Sequence, residues 1–146
     1  MPPLQDRLAA EMTAARKAQD KALTLVLGTI LADIRNREIE LKQALTDDDV
    51  VEVLRKGVKK RRESVAAYET AGRVQLAAQE AAEVVALERY LPASASEDEV
   101  RDVVRAAMAA GASGLGPVMG AVMPRFKGRA EGSLINRVVR EELGKS

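Results

Sequence analysis

The side chains of this chain that could do chemistry are its carboxylates, lysines, hydroxyls and two tyrosines, because histidine and cysteine are absent from its 146 residues. That absence removes thiol nucleophiles, imidazole acid and base catalysis, disulfides and the usual zinc sites together. Three groupings of what remains have spacing worth reading. The first is Arg61 with Glu80 and Glu83. The second is Arg55, Lys56, Lys59, Lys60, Arg61 and Arg62, six cations within eight residues. The third is Arg125, Lys127, Arg129, Arg137 and Arg140, set against Glu131 as the one acid between them.

Glu80 and Glu83 stand one helical turn apart, so as a carboxylate pair they could serve as acid and base. Burying a charge costs several kcal/mol per ion unless it is paired, and a structural Arg61–Glu80/Glu83 pair meets that need without catalysis. The pairing is the expectation here, and no catalytic residue is assigned. The two basic groupings are suited to phosphate. Arg125, Lys127, Arg129, Arg137 and Arg140 are the candidate nucleic-acid contacts, and Arg55, Lys59, Lys60 and Arg62 form a secondary basic strip. With aromatics at 2% of the chain, RNA would be met by shape and phosphate contacts rather than by base stacking. A net charge of +1 argues against a protein that coats polyanions generally, so such contacts must be local.

The Gly111–Gly116 segment is glycine-rich, but it lacks the Lys-Ser/Thr ending of a phosphate-binding loop and has no strand before it. It is expected to be a turn. Met119 and Met123 fit a packing stripe better than a cofactor site. No cofactor and no metal are expected. No apolar run approaches the roughly 20 residues of a membrane span, and the start of the chain has no signal-peptide core; the expectation is a cytoplasmic protein without a membrane partner.

The elements that must position these residues are helices. Aliphatic residues recur at spacings of three and four with little strand-like alternation, which predicts an all-α protein. Pro2 and Pro3 suit a first turn, and Leu4, Leu8, Met12 and Ala15 form one face behind them. Asp20 can cap a second helix with the stripe Leu23, Leu27, Ile30, Ile34 and Leu41; Gly28 on it suggests a close helix crossing. Thr46 and Asp49 resemble a capping box for a third helix with the seam Val51, Leu54, Val58, Arg61, Val65 and Tyr68. Gly72 ends it. A fourth helix carries Leu76, Glu80, Glu83, Leu87 and Leu91, and an antiparallel hairpin about Gly72 brings Arg61 opposite Glu83.

Leu91-Pro92 closes the fourth helix, and Pro-Ala-Ser-Ala-Ser follows as a linker. Ser96 with Glu99 forms a full capping box for a fifth helix through Val100, Val103, Val104 and Met108 to Gly111. Pro117 suits the first turn of a sixth, whose apolar face is Met119, Val122, Met123 and Phe126 and whose Gly120 admits a close neighbour. Pro124 must kink or end it. Gly132 and Ser133 start a seventh helix, with Leu134, Ile135, Val138, Val139 and Leu143 facing inward.

These residues carry a family resemblance. The run Lys59 to Glu63, Tyr68 with Ala71-Gly72-Arg73, the Glu80 and Glu83 pair, Tyr90-Leu91-Pro92, and Gly116 to Pro124 followed by Lys127 to Gly132 resemble the YqeY-like proteins over nearly the whole chain. Gln75, Pro117 and Glu131 depart from the family's more usual Asp, Lys and Asp; the second removes one positive charge near the basic joint. The resemblance implies a GatB/YqeY architecture: an N-terminal bundle of about four helices over 1–92 and a three-helix tail over 95–146. That tail is similar to the tail domain of the B subunit of the tRNA-dependent amidotransferase. The implied function is a stand-alone tRNA-binding or amidotransferase-associated accessory module, with tRNA and amidotransferase or tRNA synthetase components as partners. Carbon–nitrogen ligase activity with glutamine as amido donor attaches by family association only, and independent catalysis is not expected. The alternative is a protein–protein interaction module without RNA.

Overall fold

The computed structural model describes residues 3–145. Seven α-helices and one 3-10 turn account for the described secondary structure, so the protein is all-α. The expectation for Pro2 lies outside the described residues. The chain divides into two compact units, Met1–Leu91 and Pro92–Ser146.

In the first unit, α1 (Leu4–Lys17), α2 (Lys21–Leu41), α3 (Asp47–Thr70) and α4 (Val74–Glu88) enclose an aliphatic core. Leu8, Leu27, Ile30, Ile34, Leu54 and Leu87 are fully buried in it. The starts are set by local chemistry. Asp20 accepts from the Leu23 amide at 3.1 Å. Thr46 and Asp49 form the reciprocal capping box, at 3.2 and 3.0 Å, while Asp47 and Asp48 add negative charge where the helix dipole favours it. Asp47 also accepts from the Leu4 amide at 3.0 Å, tying the start of α1 to that of α3. Between α3 and α4 the chain reverses at Gly72, whose φ of +74° suits a residue without a Cβ.

The close approach in this unit falls at Gly57, not at Gly28. A Cβ on Gly28 would make ordinary contact with Met12 Sδ at 3.6 Å, whereas one on Gly57 would stand 2.8 Å from Ile30 Cδ1 and 3.2 Å from Arg61 Nη1. Ile30 has no exposed surface, so it has little room to retreat. The end of α4 also comes early, at Glu88; Leu91 lies beyond the helix, half-buried against the core.

In the second unit, α5 (Glu97–Ala109), α6 (Leu115–Val122), the 3-10 turn Met123–Phe126 and α7 (Gly132–Lys145) surround a smaller core of valines and Phe126. Phe126 is 2% exposed and is the one phenylalanine of the chain. Pro124 has the expected effect: α6 gives way to the 3-10 turn, and the Phe126 carbonyl accepts from the amides of Arg129 and Ala130 at 2.8 and 3.1 Å. Two expectations need correction. Nothing lies within 4 Å of a Cβ placed on Gly120, so that glycine admits no neighbour. Ser96 accepts from the Glu99 amide at 3.1 Å, but the reciprocal half of the box is absent among the described residues because the Glu99 carboxylate is taken by Arg129 at 2.8 and 2.9 Å.

Candidate nucleic-acid interface

The third basic grouping lies on the second unit, from the 3-10 turn to the middle of α7. Its five residues are not electrostatically alike. Arg129 is bonded to Glu99. Arg137 pairs with Glu97 of α5 and with Glu141 one turn ahead on α7, and these two carboxylates, Glu97 first, raise its pKa. Arg140 is exposed and donates to the neutral Asn136 Oδ1 at 2.8 Å. Arg125 is exposed and makes no hydrogen bond or ion pair among the described residues. Lys127 is exposed as well. The carboxylates that neutralise Arg129 and Arg137 come from α5 and from later on α7, so a count of charges between 125 and 140 does not reveal them.

A second charged group on this unit lies outside the groupings that the sequence spacing marks. Glu142 is 4% exposed, the one buried charged residue of the described chain. It accepts from Arg105 and Arg101 of α5 and pairs with Lys145 at 3.0 Å. The signal was present, since Ile135, Val138, Val139 and Glu142 fall at i, i+3, i+4 and i+7, placing an acid on the apolar stripe. Arg101 also reaches Glu141 at 2.8 Å; that bond raises the pKa of Arg101 and, with Arg137 acting second, lowers that of Glu141. The α5–α7 contact is thus a charge network beside a small apolar core.

The hydrogen bond from Arg105, followed by that from Lys145, holds the Glu142 carboxyl at about 2, below its ordinary value of 4.5. A depressed carboxylate stabilises fully above its unfolded value and loses that contribution as the pH falls through the folded one. The second unit is therefore expected to lose stability from about pH 4.5 toward pH 2. Thermal melts across that window should show Glu142→Gln less stable at neutral pH and with a flatter acid limb.

On the first unit, Arg61 and Glu83 meet as the hairpin register requires. Arg61 Nε donates to Glu83 Oε1 at 3.3 Å and Nη1 to the Gly57 carbonyl at 3.1 Å. The Arg61 side chain is 11% exposed and that of Glu83 23%. Glu80, also half-buried, makes no hydrogen bond or ion pair among the described residues. The secondary basic strip is dispersed around α3. Arg62 pairs with Glu88 of α4 at 3.0 Å, Arg55 is half-buried, and Lys59 and Lys60 are exposed. Of the two tyrosines, Tyr90 is nearly buried, and desolvation, then its hydrogen bond with Glu11, pushes its phenol up to about 12, far from the range of a base at neutral pH. No group of three or more Asp or Glu residues among the described ones could hold a metal ion, and no described helix is long and apolar enough to cross a membrane.

Two helical units, the first of four helices with an arginine–glutamate pair across its α3–α4 hairpin and the second of three helices tied by charges between α5 and α7, define an all-α protein. The YqeY-like protein family matches residues 5–143, and the chain belongs to that family. An uncharacterized protein of Schizosaccharomyces pombe is 30% identical over 96 residues, covering 66% of this chain and 78% of the relative. A protein of Pyrenophora tritici-repentis named "Altered inheritance of mitochondria protein 41, mitochondrial" is 28% identical over 145 residues, covering 94% and 80%.

Proposed function

We propose that this chain is an accessory module that meets tRNA through the second unit, in association with the amidotransferase machinery, and does no chemistry of its own. The observation that carries the reading is that Arg125 and Arg140 stand exposed on this unit with no carboxylate bound to either among the described residues. Their charge remains to be met by phosphate, which dominates the affinity of proteins for nucleic acids. Arg129 and Arg137 take a different part, holding the turn and α7 against α5 through Glu99 and Glu97. The resemblance of residues 95–146 to the amidotransferase tail, read from the sequence motifs, is what suggests that association. The compartment proposed is the cytoplasm, although the Pyrenophora relative's name is mitochondrial.

A fluorescence titration of labelled tRNA tests this. Arg125→Glu with Arg140→Glu is expected to weaken binding about tenfold or more while the helical circular dichroism stays unchanged; unchanged affinity rules out the surface. Arg129→Glu is unsuitable, because it sets a carboxylate against Glu99.

The second reading, a module that binds protein without RNA, is favoured by a row on the outer side of α4. Val74 and Val85 are 73% and 66% exposed, and the exposed Ala78 and Ala81 lie between them at i, i+4, i+7 and i+11. Co-purification with and without ribonuclease separates the two, since an RNA-bridged partner is lost on treatment.

A further inference from the structure

The first unit contains a cleft of about 530 Å³, lined by α2, α3 and α4. Helices that pack side by side usually turn apolar stripes toward one another. Here three of them turn polar positions into one space, with Val53 as the single large apolar residue on its wall. The volume falls within the range of roughly 300–1,000 Å³ usual for small-molecule sites, while the lining suits a water-soluble ligand rather than an apolar one.

The charges of the cleft fall into three sets. Asp49 caps α3, accepting from the Thr46 amide at 3.0 Å. Arg37 with Glu40, and Arg61 with Glu83, are paired at 2.9 and 3.3 Å and neutralise one another. The side chains of Asp33 on α2, Glu52 on α3 and Glu80 on α4 make no hydrogen bond or ion pair among the described residues, and neither do those of Lys56 and Lys60 on α3. Three carboxylates and two ammonium groups therefore line one cleft without a hydrogen bond or ion pair among the described residues, with Asp33, Lys56 and Lys60 open to water. On its wall a Cβ placed at Gly57 would stand 2.8 Å from Ile30 Cδ1, and Arg61 bonds the Gly57 carbonyl at 3.1 Å.

Carboxylates outnumber cations on this wall, so a polyanion is repelled, and a simple cation meets Lys56 and Lys60. The complementary ligand carries both signs. We infer that the cleft is a binding site for a small zwitterion of the amino-acid class. Its ammonium is taken by Glu80 with Asp33 and Glu52, and its carboxylate by Lys56 and Lys60. The same ends belong to a free α-amino acid and to a short peptide. This site is independent of the tRNA reading, which concerns the other unit, so either can fail without the other.

The test is a nitrogen-15 NMR titration of the full chain with L-lysine, L-glutamine, glycylglycine and inorganic phosphate as separate probes. A saturable shift of the Gly57 and Ser64 amides is expected with an amino acid or with the dipeptide, and the tighter of the two identifies the source. Glu80→Gln is expected to weaken that binding about tenfold, and so is Lys60→Gln, an exposed position whose change leaves the fold intact. Absence of saturable shifts with all three zwitterions overturns the site, as does phosphate binding as tightly as they do. Unchanged affinity in both variants overturns it equally.

Discussion

Replacing Phe126 with alanine is expected to unfold residues 92–146 while leaving the first unit helical. The ring is almost fully buried and is the largest side chain in a core otherwise built from Ala95, Ile135 and valines. Phenylalanine-to-alanine changes at such sites cost about 3–5 kcal/mol, through lost burial and the cavity left behind. A unit of this length has little stability in reserve. The backbone adds to the loss, because the turn after Pro124 hangs its Arg129 and Ala130 amides on the Phe126 carbonyl. Hydrogen exchange read residue by residue should show protection gone from α5, α6 and α7 and kept in α3 and α4. Protection lost equally in both units would mean that the two fold as one.

Arg61→Met is the second large effect, expected to destabilise the first unit by about 1–3 kcal/mol. Breaking a buried pair by removing one partner costs more than the pair contributes, since the remaining charge is stranded. The cost falls below the roughly 3–5 kcal/mol of a fully buried pair because Glu83 keeps 23% of its side-chain surface in water. The lost bond to the Gly57 carbonyl adds to it. Glu83→Gln alone should cost less, and the double variant should recover part of the loss, with a coupling of about 1 kcal/mol or more in denaturant melts. An additive double variant would show that the two side chains do not stabilise one another.

Arg61 also shows how far the sequence could be read. Counting outward from Gly72 places it opposite Glu83, because an antiparallel helical hairpin has a single register once its turn is known. The caps at Asp20, Thr46 and Ser96 were legible for a similar reason: they depend on residues three positions apart. Glycines without an unusual φ were not. Gly28 and Gly57 look alike in a helical pattern, and only the packing of Ile30 and Leu87 around Gly57 tells which one has a neighbour close to its Cβ position.

The basic joint was legible as composition and illegible as electrostatics. Arg129 and Arg137 count as cations along the chain, yet Glu97 and Glu99, about thirty to forty positions earlier, neutralise them once α5 lies beside α7. Glu80 reverses the case: it was expected to share Arg61, but Glu83 holds that guanidinium, and Glu80 is left to the cleft. Charge pairing over such separations is a property of packing. The local pattern reports only which charges exist.

The reading of the second unit as an RNA-binding surface is most directly tested by the salt dependence of tRNA binding in the intact chain and in Arg125→Glu/Arg140→Glu. If these arginines meet phosphates, log affinity should fall with log salt by about 0.7–0.9 per phosphate neutralised, and the variant's slope should be shallower by about 1.4–1.8. Identical slopes in the two proteins, or no binding by the intact chain at low salt, would contradict the account.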